Sequence, residues 1–243
     1  VRARLRAYAL PDGVEENLWA RLGDGYFLRH DANEIAWHTR QLCTRAEAQN
    51  PIVRARLSPI GEGLEVMIYV RDQPLLFARI CGFFERVGYN IVEARIYTTR
   101  HGCALDSFVV MEPGGAARSH YRDVISYVEH ELGQRLSTGG PLDPPTRGRL
   151  SRQLKAFPLS PEVTIRPDER GAYFYLSLIA GDRPGLLSSV ARTLAERGID
   201  VQTAKINTLG ARAEDVFLLK GDTLRDPKQV IRLEADLIHQ LEA

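Results

Sequence analysis

The sequence predicts an α+β protein: two ferredoxin-like units of element order ββαββα, preceded by a helical connector. Two observations carry this. The first is an internal repeat, in which Pro51–Val110 realigns on Pro161–Leu219 at a constant offset of 110. Identical pairs include Val53/Val163, Gly61/Gly171, Asp72/Asp182, Pro74/Pro184, Gly88/Gly198 and Thr98/Thr208. One residue then drops out of the second copy, and Asp106/Asp215 and Phe108/Phe217 pair at 109. A repeat of this length is a whole small domain rather than a solenoid unit. The second observation is that nothing strand-like follows either closing helix. The leading strand must then occupy the sheet edge that a ferredoxin-like unit gives its last strand.

Each element has a local reason. Residues 1–50 read as a helical connector, with Asp31-Ala-Asn-Glu34 in capping-box form and Asp31 as N-cap, before Asn50-Pro51 stops the helix. The first residues read like the middle of a helix, so the chain is expected to be a fragment of something longer. Ile52–Leu57 and Val163–Arg166 are short β-prone runs, and Leu64–Val70 and Tyr173–Ile179 are apolar strands. The Asp-x-Pro sequence opens a helix, because proline fits a first turn where its missing donor is not needed. That helix runs to Val87 or Arg197, where Gly88 or Gly198 suits a left-handed C′ position. Strands follow at Ile91–Thr98 and Val201–Thr208, then hairpins at His101-Gly102 and Gly210-Ala211, then strands Leu105–Met111 and Asp215–Lys220. Closing helices cover Ser119–Leu132 and Pro227–Leu241. The expected boundaries are 1–50 for the connector, 51–134 for the first unit, 135–160 for a linker and 161–243 for the second.

Composition narrows the function. The chain has 243 residues, a 44% apolar fraction and a net charge of +1, so no overall field recommends nucleic acid or an anionic membrane. It holds neither a long apolar run of membrane-spanning length nor an apolar stretch after its Arg-rich start. Cys43, Cys81 and Cys103 have no metal-like spacing and read as buried, reduced thiols in a cytoplasmic protein. His30-Asp31 is a lone dipeptide, better explained by helix capping than by metal binding. The histidines show no metal-ligand pairing, and no nucleophile motif, Walker loop or Asp-x-Asp pair is present. The basic run Arg147–Lys155 reads as a solvated connector. No catalytic or metal site is expected in these residues.

The repeated turn is different. A strand that ends in a Gly-containing turn opening a helix aims backbone donors and the positive helix end at one spot, which suits a carboxylate. Asp182 is placed to receive an amino group, and Gly185 lets a ligand approach the backbone. A well-capped turn without a ligand fits the same residues equally well.

Asp182-Arg-Pro-Gly-Leu-Leu, the helix to Gly198 and Ile199-Asp-Val-Gln-Thr-Ala-Lys-Ile206 resemble the ACT domain family of amino-acid-binding regulatory modules. The tandem copies Val70–Arg79 and Asn90–Arg100, the joining segment Leu150–Pro158 and the upstream Glu34–Thr39 are more specific. Together they resemble the C-terminal part of the bifunctional uridylyltransferase/uridylyl-removing enzymes that act on the nitrogen-signalling protein PII. The likeness runs from about Tyr26 onward. In that family a nucleotidyltransferase domain adds UMP to PII, a metal-dependent HD domain removes it, and the ACT pair senses glutamine. The resemblance thus implies L-glutamine as effector and PII as partner of the parent protein, with Mg²⁺ and UTP serving catalytic domains absent from these residues. The implied effector residues are Asp182, Arg183, Pro184, Gly185, Leu186 and Asp200, with Asp72, Pro74 and Asn90 in the first copy.

The first copy departs from the pattern, because Leu75 stands where the second has Gly185. Its side chain would crowd a ligand, so the second copy is expected to be the better site. A stand-alone tandem ACT protein is the alternative reading. RNA binding by the sheets is disfavoured, since the central strands carry too few exposed aromatics. The two units are expected to pack on each other, within one chain or between two.

Overall fold

The computed structural model describes residues 1–59, 63–112, 121–139, 142, 159–183, 185–209 and 211–242. The basic run Arg147–Lys155, Gly61, Pro184 and Gly210 lie outside the described residues.

Four short helices come first: α1 (Arg2–Ala7), α2 (Glu16–Arg21), α3 (Asp24–Arg29) and α4 (Ala32–Leu42). The Asp31 carboxylate caps α4 by accepting from Asn33 N and Glu34 N. The capping box is only half made, however. The Glu34 carboxylate accepts from Arg95 Nη1 at 3.1 and 3.2 Å, a stronger partner than an exposed backbone amide.

The first unit contains β1 (Ile52–Leu57), β2 (Leu64–Arg71), α5 (Leu76–Arg86), β3 (Asn90–Arg95), β4 (Cys103–Met111) and α6 (Tyr121–Thr138). The second contains β5 (Glu162–Pro167), β6 (Phe174–Gly181), α7 (Leu186–Glu196), β7 (Asp200–Lys205), β8 (Thr208–Leu209), β9 (Arg212–Lys220) and α8 (Pro227–Glu242). Helix α6 continues to Thr138, beyond the expected end at Leu132, because Leu132 and Leu136 are both buried and extend its apolar stripe.

Both sheets are antiparallel, with orders β1-β2-β4-β3 and β5-β6-β9-β7; β8 adds a short pair to β9. The leading strand takes the edge in each, as expected. Its outward amide is not left bare. Glu129 of α6 accepts from Ala55 N at 2.9 Å, and Glu234 of α8 accepts from Ile165 N at 2.7 Å. A closing helix thus covers each edge strand with a carboxylate, which blocks pairing with another chain.

Helix α5 buries Leu76, Phe77, Ile80, Phe83 and Phe84, the spacing of one helix face. Gly88, at φ 79°, and Gly198, at φ 66°, end α5 and α7 in left-handed geometry. Tyr89 N donates to Phe84 O at 2.9 Å and Ile199 N to Leu194 O at 3.0 Å, closing each helix end.

The units pack directly against each other, β3 beside β7 and α5 beside α7, with one continuous apolar core. Phe77 of the first unit meets Phe217 of the second edge-on, with ring centroids 6.5 Å apart. Equivalent register shifts, between Ile91 and Glu93 and between Val201 and Thr203, bend the two facing strands alike. The outer face of the first sheet is covered by the connector: Leu18, Tyr26, Trp37 and Leu42 pack on Met67, Tyr69 and Leu105.

The edge contacts give a direct expectation. Glu234→Ala leaves the Ile165 amide without its acceptor and should lower stability by about 1–3 kcal/mol in urea unfolding. Glu234→Gln, which keeps an acceptor, should restore most of it; equal stability of all three proteins would make the contact incidental.

Candidate functional site: two pockets between the units

The repeated turns have the same backbone. Asp72 N donates to Gly102 O at 3.0 Å and Asp182 N to Ala211 O at 2.9 Å, fixing where each strand leaves its sheet. The residue before each helix is left-handed: Gly185 has φ 88° and ψ −4°, and Leu75 has φ 68° and ψ 8°. Glycine adopts this conformation freely, whereas leucine is strained there by roughly 1–2 kcal/mol. The turn geometry is retained in the first copy in spite of that strain.

Each turn faces the other unit, not its own strand start. The first pocket, about 130 Å³, is lined by Asp72, Gln73, Pro74, Leu75, Thr98 and Asp106, and across the interface by Gly198, Ile199, Asp200 and Gln202. The second, about 110 Å³, is lined by Asp182, Arg183, Gly185, Leu186, Ser188, Thr208 and Asp215, and across the interface by Glu85, Gly88, Tyr89 and Asn90. The grouping expected from the sequence is therefore corrected at two positions. Asp200 belongs with Asp72 and Asn90 with Asp182, because β3 and β7 lie side by side and each strand start points at the opposite turn. Leu75 does not abolish the first cavity, which is as large as the second.

The electrostatics of the two pockets are alike. Thr98 Oγ1 donates to Asp72 Oδ2 at 3.3 Å. Desolvation raises the Asp72 carboxyl above its ordinary range, Thr98 opposes, and the nearby Asp200 raises it further. Burial likewise raises Asp182, against a hydrogen bond from Arg183 N. Arg183 itself lines the second pocket, but its guanidinium donates to the Gln240 carbonyl of α8.

Sequence reasoning missed two further carboxylates on the pocket floors. Asp106 and Asp215 are each 1% exposed and sit on the helix-facing side of β4 and β9. Asp106 Oδ1 accepts from Tyr97 N at 3.1 Å and Asp215 Oδ1 from Asn207 N at 3.2 Å. Burial pushes Asp106 up to about 8 and Asp215 up to about 7, with the turn aspartates adding to both shifts. The readable signal was an acidic residue at the same inward position of an apolar strand in both copies.

Away from the pockets, the fold gathers Glu34, His38 and Glu65, whose ligand-type atoms lie within 4.8 Å of one another. The sequence spacing gave no hint of this grouping. Arg95 and Arg56 pair with the two carboxylates at 3.1 and 2.7 Å, and Tyr26 Oη and Ser107 Oγ lie 2.7 and 3.2 Å from the two His38 nitrogens. With those atoms engaged, the cluster reads as the polar seam that docks α4 on the first sheet. Cys81 and Cys103 are buried free thiols, while Cys43 is half-exposed. Among the described residues no helix is long and apolar enough to cross a membrane.

The strained turn can be tested alone. Leu75→Gly should raise stability by roughly 0.5–1 kcal/mol, as relief of the left-handed strain outweighs the added freedom of the unfolded chain. Denaturant unfolding that showed a loss instead would mean that the Leu75 side chain holds the turn in place.

Comparison with known proteins now has a geometry to rest on. Residues 174–237 match the ACT domain family model, and residues 1–41 match the model described as "Uridylyltransferase GlnD fifth domain". The chain is 52% identical over 240 residues to a bifunctional uridylyltransferase/uridylyl-removing enzyme of Aromatoleum aromaticum. It is 53% identical over 243 residues to the enzyme of that name in Ralstonia nicotianae, and 52% over 242 in Cupriavidus pinatubonensis. Each match takes in 99% of this chain and 28% of the relative. Over nearly its whole length the chain is thus similar to the C-terminal region of bifunctional uridylyltransferase/uridylyl-removing enzymes, spanning little more than a quarter of their length, and its second unit matches the ACT domain family.

Proposed function

We propose that this chain is the amino-acid-sensing regulatory region of such an enzyme, with L-glutamine as effector bound in the pockets between the two units. The parent enzyme, on this reading, attaches UMP to PII and removes it, using Mg²⁺ and UTP in catalytic domains outside this chain. It acts in the cytoplasm.

One observation carries the reading: each pocket is assembled from both units, a helix-opening turn on one side and a strand start on the other. A ligand held there touches both units at once, so its binding energy acts on their packing. That is what a sensor needs, since a ligand shifts an equilibrium only by its differential affinity for the two states. The α-carboxylate suits the amides at the opening of α7, and the ammonium suits the pocket carboxylates. In the second pocket Asn90, Ser188 and Thr208 offer partners for a side-chain amide. The choice of glutamine among amino acids comes from the family resemblance. The second pocket is taken as the stronger site, because Gly185 brings no side chain to the ligand and adopts the left-handed turn without the strain that Leu75 bears.

Calorimetry on this chain is the test. L-Glutamine should bind the wild type, and Gly185→Leu should weaken binding at the second pocket at least tenfold. The variant should still fold, since Leu75 adopts the same conformation at φ 68°. Ligand at a hundredfold excess over Kd should stabilise the wild type by about 2.7 kcal/mol. Equal affinity in wild type and Gly185→Leu would place the ligand elsewhere.

A further inference from the structure

We infer that Asp106 and Asp215, on the pocket floors, are the groups that receive the effector's ammonium, and that each releases a proton to solvent as the ligand binds. This rests on the reading above that the pockets take an amino acid, and it assigns the cation to residues other than the turn aspartates.

The geometry is that of a waiting acceptor. Asp106 Oδ1 is held by Tyr97 N, but Oδ2 is buried with no hydrogen-bond partner among the described residues, in a side chain that lines the first pocket. A buried polar atom left unpaired is costly, and a ligand N–H would satisfy it. Asp215 holds the equivalent place in the second pocket, with Oδ1 accepting from Asn207 N and the side chain lining the cavity. The turn aspartates are less suited to the role. Asp72 accepts from Thr98 and the backbone of Gln73, and Asp182 from the backbone of Arg183, so both act as caps of their own turns.

The surroundings give the proton step its sign. Asp106 is faced by Asp72 from the turn and Asp200 from β7, and both it and Asp215 lie near Cys81 of α5. Asp215 shares its pocket with Asp182 and Arg183 from the turn and with Glu85 of α5. Among the described lining residues the one cationic side chain is Arg183, whose guanidinium is turned to the Gln240 carbonyl, so burial and the neighbouring acids raise both carboxyls toward neutral pH. An arriving ammonium favours the ionised form. The O–H bond breaks, the proton leaves to buffer, and the carboxylate and ammonium remain paired. Binding therefore strengthens as pH rises toward the free-state values of about 8 for Asp106 and about 7 for Asp215, and then levels off.

Calorimetry of the whole chain with L-glutamine, in buffers of different ionisation enthalpy, reads the proton directly. At about pH 6 each ligand bound at the second pocket should release about one proton, and affinity there should rise roughly tenfold by about pH 8. Asp215→Asn should bind at least tenfold more weakly at pH 8. It should also lose the wild type's preference for L-glutamine over its analogue lacking the α-amino group. Asp106→Asn should do the same at the first pocket. Circular dichroism should show both variants folded. Wild-type binding without proton release, or an Asp215→Asn protein that keeps that preference, overturns the inference. If Gly185→Leu still weakens binding at the second pocket in that case, the pocket reading survives and only the ammonium assignment fails. Binding that is indifferent to both Gly185 and Asp215 sinks both.

Discussion

The packing of β3 and α5 against β7 and α7 is the contact on which the rest of this structure depends. It joins the two units through one apolar core in which Phe77 and Phe217 meet edge-on. Burying an aromatic side chain of this kind is worth about 1.5–3 kcal/mol, so the joint is not a loose tether. The same contact builds the pockets. Without the second unit the Asp72 turn would open onto solvent, and without the first the Asp182 turn would lack Asn90 and Tyr89. Pocket shape and inter-unit packing are thus one property of the molecule.

The pockets are not equivalent in what lies behind them. Behind the first, the Asp106 carboxylate holds Tyr97 N, and the Tyr97 hydroxyl in turn accepts from Gly23 N of the connector at 2.6 Å. Arg95, at the end of β3, pairs with Glu34 of α4, and Ser107, next to Asp106, meets His38. Behind the second, Asn207 takes the place of Tyr97, and no connector helix covers that sheet face among the described residues. A change at the Asp106 floor therefore has a short, half-buried route into the connector. The seam along that route is polar but balanced: each buried carboxylate has an arginine, and burial keeps His30, at about 4, and His38 neutral. Breaking one partner of such a pair costs far more than the pair contributes when intact.

Much of this was legible in the sequence, for physical reasons that differ by element. The edge position of β1 and β5 is readable from the repeat, because the leading run of each copy pairs as a hairpin with the next strand. Asp31 is readable as a cap from its neighbours alone, yet the destination of Glu34 is not, since Arg95 is distant in the chain. Leu75 declares its strain by standing opposite Gly185. The pairing of Asn90 with Asp182, and of Asp200 with Asp72, was hidden for a different reason. It follows from how the two units face each other, and periodicity within one copy carries no information about that. Asp106 and Asp215 stand in plain view as acids in apolar strands, but from the sequence they serve only to align the repeat.

The central claim is that one ligand is held by both units together. Backbone hydrogen exchange, with and without L-glutamine, tests it most directly. The account predicts added protection in two separated stretches, the turn at Asp182–Leu186 and the helix end at Gly88–Asn90, appearing at the same ligand concentration. Protection confined to one unit, with the facing stretch unchanged, would contradict it.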